Sequence, residues 1–511
     1  MIKPASVKLS ALSPLGSNTW LTLAFLLGLG LRTMPELIAG PNGVIGYDLV
    51  AYYAPLLSHK SAILSNWRLL FALPYETPLP YVALLWVPPG LVIPALRVVA
   101  VMCYGFLAAA IYLFTKERMG LEPKWAFFAS VFLCIQLATL RIGYDLLRNS
   151  LALIFALVIL SGRFRQSSPT VRLLSAAVAL THELVAVILA GIWGMQLLLE
   201  RREPNSEKYA IAENLALVIG LTILGPIIGD DLNAYPASGR VYFLPFGAIG
   251  TLTQPMVNYL MGYPYAQIAS IVLQLTLFLL YPLLLLVAWF GLKKDSVLLG
   301  WVLVTSLAGF SPIFLPTYAA GLWYRWLLML VFPLGIYAVL GIRKLVRRFN
   351  NFKPKVGILF LLLTLTPFLF LAGNFLLVPP EHAIPYFTNH AVLPEFPSSM
   401  LQNTVPLGDV AEVQRAVNVL NSTMTSDSVV LVHESFFGWA SMGLTGNKTI
   451  IDYLLGIPID ALPMAKRLGF KTIYWLAWAP GVSWNNYQAP TNIFKPIYTS
   501  GEISVYIYVG P

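Results

Sequence analysis

The sequence predicts a mainly α protein: a polytopic helical membrane domain of about eleven spans over residues 1–373, then a small extracytoplasmic α/β domain over 374–511. Three observations predict it. The chain is 58% hydrophobic and only 11% charged, whereas soluble domains carry about 25% charged residues. Its apolar runs are long enough to cross a hydrocarbon core and are separated by short Lys/Arg clusters. Past residue 373 the runs shorten, and strand-like and helix-like patterns alternate.

The formal net charge of +10 suits a nucleic-acid partner until it is placed along the chain. Residues 374–511 hold 6 Lys/Arg against 9 Asp/Glu, a net of −3, and residues 1–373 hold 27 against 14, a net of +13. The excess therefore sits between spans, where it fixes which loops stay cytoplasmic. No nucleic-acid partner is assigned. Cys103 and Cys134 both lie in apolar runs, so the C-terminal domain has no disulfide framework.

The first span, about 15–31, follows Lys3 and Lys8 and reads as a retained signal anchor with the N-terminus cytoplasmic. A large outer loop, 32–78, follows; Val50–Leu57 and Ala62–Leu73 read as short interfacial helices. Residues 79–96, broken by four prolines, form a kinked lead-in to the second span, about 97–115. Spans three and four (about 125–140 and 149–162) flank a short outer turn with Arg141, Asp145 and Arg148. Residues 173–199 have basic residues at both ends, which predicts an out-and-back hairpin with His182 and Glu183 at its tip. Five more spans follow, at about 211–229, 267–291, 296–313, 321–342 and 356–373. This layout puts 19 of 33 Lys/Arg in the cytoplasm, 8 in or near outer loops and 6 in the C-terminal domain.

After a Pro-rich linker, the C-terminal domain shows a helix at about 409–421 and another at about 459–468. Strand patterns occur at Ser428–His433, Lys448–Asp452, Lys471–Leu476 and Ser504–Val509.

Ionisable groups at membrane depth are costly unless paired or facing water. Here they gather on one side: Asp48, His59, Asp145, Arg148, His182, Glu183, Asp230, Asp231, Arg240 and Arg325 all map to the outer third or the outer loops. A cavity open to the outer leaflet accounts for this, as does ordinary loop polarity for Asp230 and Asp231. Asp48 stands just past a Gly/Pro-rich turn; it suits either a helix N-cap or a general base for an acceptor hydroxyl. Asp145, Arg148 and Asn149 read as an i,i+3 ion pair with a cap, or as groups that orient an acceptor or metal and grip a phosphate. His182 and Glu183 form a buried pair closing the hairpin or a binding pair; Ala186 rules out His-Glu-x-x-His. Arg325, in Trp323-Tyr324-Arg325-Trp326, is a snorkelling belt residue or a phosphate ligand. Arg240 has the same two readings. Trp475, Trp478 and Trp484, with Tyr474 and Tyr487, suit core packing, bilayer contact or sugar stacking. No Cys/His metal cluster, phosphate-binding Gly loop or Gly-x-Ser-x-Gly elbow occurs, and a divalent cation stays open as a cofactor.

Four short motifs sit at corresponding places in this layout: Gly46-Tyr47-Asp48, Thr77-Pro78-Leu79-Pro80-Tyr81, Tyr144-Asp145-Leu146-Leu147-Arg148-Asn149 and Tyr324-Arg325-Trp326-Leu327. With them the chain resembles the GT-C superfamily of integral membrane glycosyltransferases, which includes dolichyl-phosphate-mannose mannosyltransferases and oligosaccharyltransferases. The resemblance implies a polyprenyl-phosphate-linked sugar donor, a glycan, lipid or protein acceptor, and an outward-facing site in the cell membrane. It also implies Asp48 as general base, Asp145 as a second acidic site, and Arg148, His182, Glu183, Arg240 and Arg325 as substrate-binding residues. Many members pair two acids in the first loop; here Asp48 is flanked by Tyr47 and Leu49. A non-catalytic scaffold of the same fold and a transporter of a lipid-linked substrate are the rival readings.

Overall fold

A computed structural model describes residues 16–40, 43–58, 60–65, 67, 79–199, 205–229, 240–242, 265–315, 323–348, 353–383, 392–446, 448–452, 458–479, 490 and 492–510. His59, Asp230, Asp231, Trp484, Tyr487 and most of 66–73 lie outside them. The chain is mainly helical, with one small sheet near its C-terminus. Among the described residues its first eleven α-helices are α1 (Ser17–Ala39), α2 (Ala54–Ser58), α3 (Lys60–Ser65), α4 (Leu79–Leu84), α5 (Val92–Glu117), α6 (Pro123–Cys134), α7 (Leu137–Asp145), α8 (Leu147–Leu160), α9 (Pro169–Ala179), α10 (Glu183–Leu199) and α11 (Asn205–Gly229).

Helices or helix pairs occupy every expected crossing, but they differ in reach. Among the described residues, α1, α5 and Trp323–Arg348 are long and apolar enough to cross a membrane. Two pairs qualify only together and are bent at the break: α6 with α7 by 71°, and Tyr265–Leu279 with Pro282–Gly291 by 67°. Others are short. The 14 residues of α8 rise only about 21 Å, against a hydrocarbon core about 30 Å thick.

Helix α1 runs eight residues beyond the expected first span, to Ala39. Arg32 and Glu36 lie one turn apart on it and are both buried, and they pair with each other. Arg97 of α5 closes the network, with Nε donating to Glu36 Oε2 at 2.6 Å and Nη2 to the Gly40 carbonyl at 2.9 Å. Charges that would break an isolated apolar helix are thus compensated within the fold.

The C-terminal sheet has the order β1-β3-β2-β4-β6-β5, with β1 Arg240–Tyr242, β2 Ser428–Val432, β3 Thr449–Asp452, β4 Thr472–Trp478, β5 Phe494–Ser500 and β6 Ile503–Tyr508. The first four strands in that order pair in parallel, and β6 and β5 are antiparallel. Four of the six were legible as apolar or alternating runs. Strand β5 was not, because Pro496 interrupts its pattern; as an edge strand it accommodates the proline at a register shift. Strand β1, which lies in sequence between α11 and the helix Tyr265–Leu279, adds to the open edge of β3. Trp475 and Trp478 of β4 are buried, so of their three readings core packing holds.

The first loop and this domain share one core. Leu49, Val50, Tyr53, Ala54 and Leu57 are buried together with Val410, Val413, Phe436, Phe437 and Leu476. Val50–Leu57 is therefore covered by protein rather than lying at a lipid interface, as its apolar face had suggested. The closest approach is at Gly438 in the helix Glu434–Gly443, where an added Cβ would run into the carbonyl oxygen of Val50. Gly438→Ala is expected to destabilise the protein by about 1–3 kcal/mol through overpacking, seen as a lower melting temperature in detergent. An unchanged melt would show that the two elements do not pack this closely.

Candidate active site

Asp48 is placed by the four residues before it. Gly46 has φ +113°, a region that side chains disfavour, and a Cβ there would crowd the Tyr144 carbonyl oxygen at 3.0 Å. The Val44 carbonyl accepts from Asn403 Nδ2 at 2.9 Å, and the Ile45 carbonyl accepts from Arg32 Nη2 at 3.2 Å. The Gly46 N–H donates to the Gln402 carbonyl at 2.8 Å, and the Tyr47 N–H donates to Asp145 Oδ1 at 2.6 Å. The chain then enters a π-helical turn, Leu49–Tyr53, closed by the Ala54 N–H on the Leu49 carbonyl. Such turns occur mostly singly and often at functional sites.

Asp48 stands at the N-cap of that turn, but its side chain makes no capping hydrogen bond, which removes the cap reading. It is only 4% exposed. Burial pushes its carboxyl up to about 6; Arg148, Arg325 and Arg141 oppose that shift, and the neighbouring charge of Asp145 adds to it. At neutral pH Asp48 is mostly ionised, and it holds a proton more readily than an exposed aspartate does.

Asp145 ends α7 instead of starting α8. Its Oδ2 pairs with Arg141 Nη2 at 2.7 Å, one turn back, and both side chains are buried. Asp145 is therefore paired i,i−4 with Arg141. Leu146, at φ −108° and ψ 68°, breaks the helix, and Arg148 and Asn149 sit in the first turn of α8, both buried. Arg148 is close enough for its charge to act on Asp48, Tyr53 and His182.

His182 precedes α10 at the tip of the α9–α10 hairpin. Its Nδ1 accepts the Leu184 N–H at 3.1 Å. Burial, with Arg148 and Arg325 nearby, pushes the imidazole down to about 3, so it is neutral and its proton sits on Nε2. That Nε2 is buried and has no hydrogen-bond partner among the described residues. The side chain of Glu183 is 42% exposed, and its Oε2 lies 3.8 Å from His182 Nδ1, beyond hydrogen-bond length. The pair is thus adjacent without closing the hairpin by a mutual hydrogen bond.

Arg325 joins this cluster through its charge, which bears on both Asp48 and His182. Arg240 lies in β1, paired with Ile450 of β3, and its side chain lies outside what is described. Asp48, Asp145, Arg148, His182, Glu183 and Arg325 are therefore brought together from four separate stretches of chain. Tyr53 belongs with them: it is fully buried, stacks on Tyr81 at 4.9 Å, and its hydroxyl has no hydrogen-bond partner among the described residues. Burial holds its phenol well above the usual range, so it stays a proton donor.

The sequence reading missed Tyr53, Tyr81 and the supports Arg32, Glu36, Arg97 and Asn403. The signal for Arg32 and Glu36 was present, as opposite charges four apart in an apolar helix. Asn403 carried no local signal. Among the described residues no three or more His, Cys, Asp or Glu side chains converge as a metal would require. Both oxygens of Asp145 are already taken by Arg141 and Tyr47. Among the described residues the donor set does not fit a divalent cation.

No family model matches the chain, and no curated protein matches it in sequence. Among solved structures it is similar to ArnT from Cupriavidus metallidurans bound to undecaprenyl phosphate. The identity is 12%, the match covers 97% of this chain and 100% of that one, and the TM-score is 0.48.

Removing the guanidinium with Arg141→Met would leave the Asp145 carboxylate buried with one partner fewer. A loss of about 3–5 kcal/mol is expected, and the double variant Arg141→Met with Asp145→Asn is expected to recover part of it. Thermal melts of wild type, the two single variants and the double variant check this. Additive effects of the two substitutions would mean that the pair is not coupled.

Proposed function

We propose that this protein is an integral membrane glycosyltransferase of the GT-C type. It takes a polyprenyl-phosphate-linked sugar at the outer membrane face, with its N-terminus cytoplasmic, about eleven crossings and an extracytoplasmic C-terminal domain. The observation that carries the reading is Asp48, a buried carboxylate held at about 6 among Arg148, Arg325 and Arg141. A carboxylate with raised proton affinity suits general-base work near neutral pH. Guanidinium groups suit a phosphate.

The chemistry follows from these roles. An acceptor hydroxyl gives its proton to Asp48 as its oxygen attacks the anomeric carbon. The bond from that carbon to the phosphate oxygen breaks, and the electron pair leaves with the polyprenyl phosphate. Attack opposite the leaving group inverts the anomeric centre. Arg148 and Arg325, with the Nε2–H of His182, stabilise the charge that develops on the departing phosphate. Asp145 acts through the backbone of Tyr47, holding the loop that carries Asp48.

Undecaprenyl-phosphate hexoses, radiolabelled in the sugar, are the probe. Asp48→Asn is expected to lower turnover by about 10²–10⁴-fold while binding of undecaprenyl phosphate persists. Because the base must be ionised, wild-type turnover is expected to fall as pH drops through about 6. Equal consumption by wild type and Asp48→Asn would sink the catalytic role. Binding without turnover on any hexose would point to a scaffold, and uptake into sealed vesicles to a transporter.

A further inference from the structure

The segment Met400–Val405 links the helices Val392–Ser399 and Val410–Thr423. It is irregular, yet all six residues are buried. Loops usually run over the surface, because buried loop backbone needs partners for its polar groups. Here the partners lie in the first loop. Asn403 is fully buried and spans the gap, with Nδ2 donating to the Val44 carbonyl at 2.9 Å and Oδ1 accepting the Val405 N–H at 3.0 Å. One residue back, the Gln402 carbonyl accepts the Gly46 N–H at 2.8 Å. Its side chain turns the other way, where Oε1 accepts the Leu407 N–H at 2.6 Å. Two residues beyond Asp48, Val50 is pressed against Gly438 of the same domain. The C-terminal domain therefore grips the chain on both sides of Asp48.

We propose that the C-terminal domain serves as a clamp on the Asp48 loop, with Asn403 as its positioning residue. This rests on the reading of Asp48 as general base. The domain acts on the rate of transfer by fixing where the carboxylate stands. The contacts that carry this go to backbone groups of Val44, Gly46 and Val50, and Trp475 and Trp478 are in the core.

The test compares wild type with Asn403→Leu, a near-isosteric change that removes both hydrogen bonds. Two readouts are used on the full-length protein in detergent. The first is release of undecaprenyl phosphate from undecaprenyl-phosphate hexoses. kcat is expected to fall about 10- to 100-fold, the scale of a misplaced catalytic group, with KM for the donor and acceptor within about twofold. The second is labelling of Asp48 by a hydrophobic carbodiimide, which reacts with protonated carboxyls, followed by mass spectrometry against pH. Loosening the loop admits water, so the labelling midpoint is expected to move down by about one pH unit. Should Asn403→Leu not fold, Asn403→Ser is expected to show both effects in the same direction and smaller.

A folded variant with wild-type kcat and labelling midpoint overturns the proposal. So does a rise in KM with kcat unchanged, which would make the domain a substrate-binding module. A wild type that turns over no hexose but whose Asp48 midpoint falls on Asn403→Leu would sink the glycosyltransferase reading and leave the clamp standing.

Discussion

Backbone groups of the four residues ahead of Asp48 are taken by three different parts of the fold. The Val44 carbonyl goes to Asn403, the Ile45 carbonyl to Arg32, the Gly46 N–H to the backbone of Gln402 and the Tyr47 N–H to Asp145. An irregular segment has no ladder of its own, so each buried polar group must find a partner elsewhere. The effect is to tie α1, α7 and the C-terminal domain to one short stretch of chain. The backbone that leads into Asp48 is then over-determined.

The same constraint explains where the buried charges are. Arg32 donates to the Ile45 and Gly143 carbonyls and to Glu36, and its guanidinium lies 5.4 Å from the centre of the Tyr144 ring. Glu36 is shared with Arg97. Arg141 and Asp145 form a second buried pair one turn from Arg148. Each ion is held by an opposite charge or by backbone carbonyls, the condition under which buried charge is tolerated. Around this frame stand groups with spare hydrogen-bonding capacity among the described residues, the Nε2 of His182 and the hydroxyl of Tyr53. The frame holds the site, and these groups are available to a ligand.

Much of this was legible in the sequence. Hydropathy and basic clusters located the helices, and the crowding of costly polar residues on one side located Asp48, Asp145, Arg148, His182, Glu183 and Arg325 together. The strands with uninterrupted apolar runs, β2 and β4, were plain. Three things were not legible, two of them because they depend on contacts distant in sequence. The length of α1 depends on Arg97, 61 residues from Glu36. The partner of Asp145 is set by the break at Leu146. The role of Asn403 depends on a contact 359 residues away, and an asparagine in a loop has many ordinary explanations. The burial of Val50–Leu57 was misjudged for the same reason: an apolar face does not announce whether lipid or a second domain covers it.

The central claim is that one phosphate site and the Asp48 carboxylate belong to the same cluster. An experimental structure of the protein in a lipid nanodisc with undecaprenyl phosphate tests it most directly. The result expected is the phosphate within hydrogen-bond reach of Arg148 and of the Nε2 of His182, with Asp48 facing the space beside it. A phosphate bound elsewhere on the protein, or one at Arg148 with the Asp48 carboxylate turned away from it, would contradict the claim.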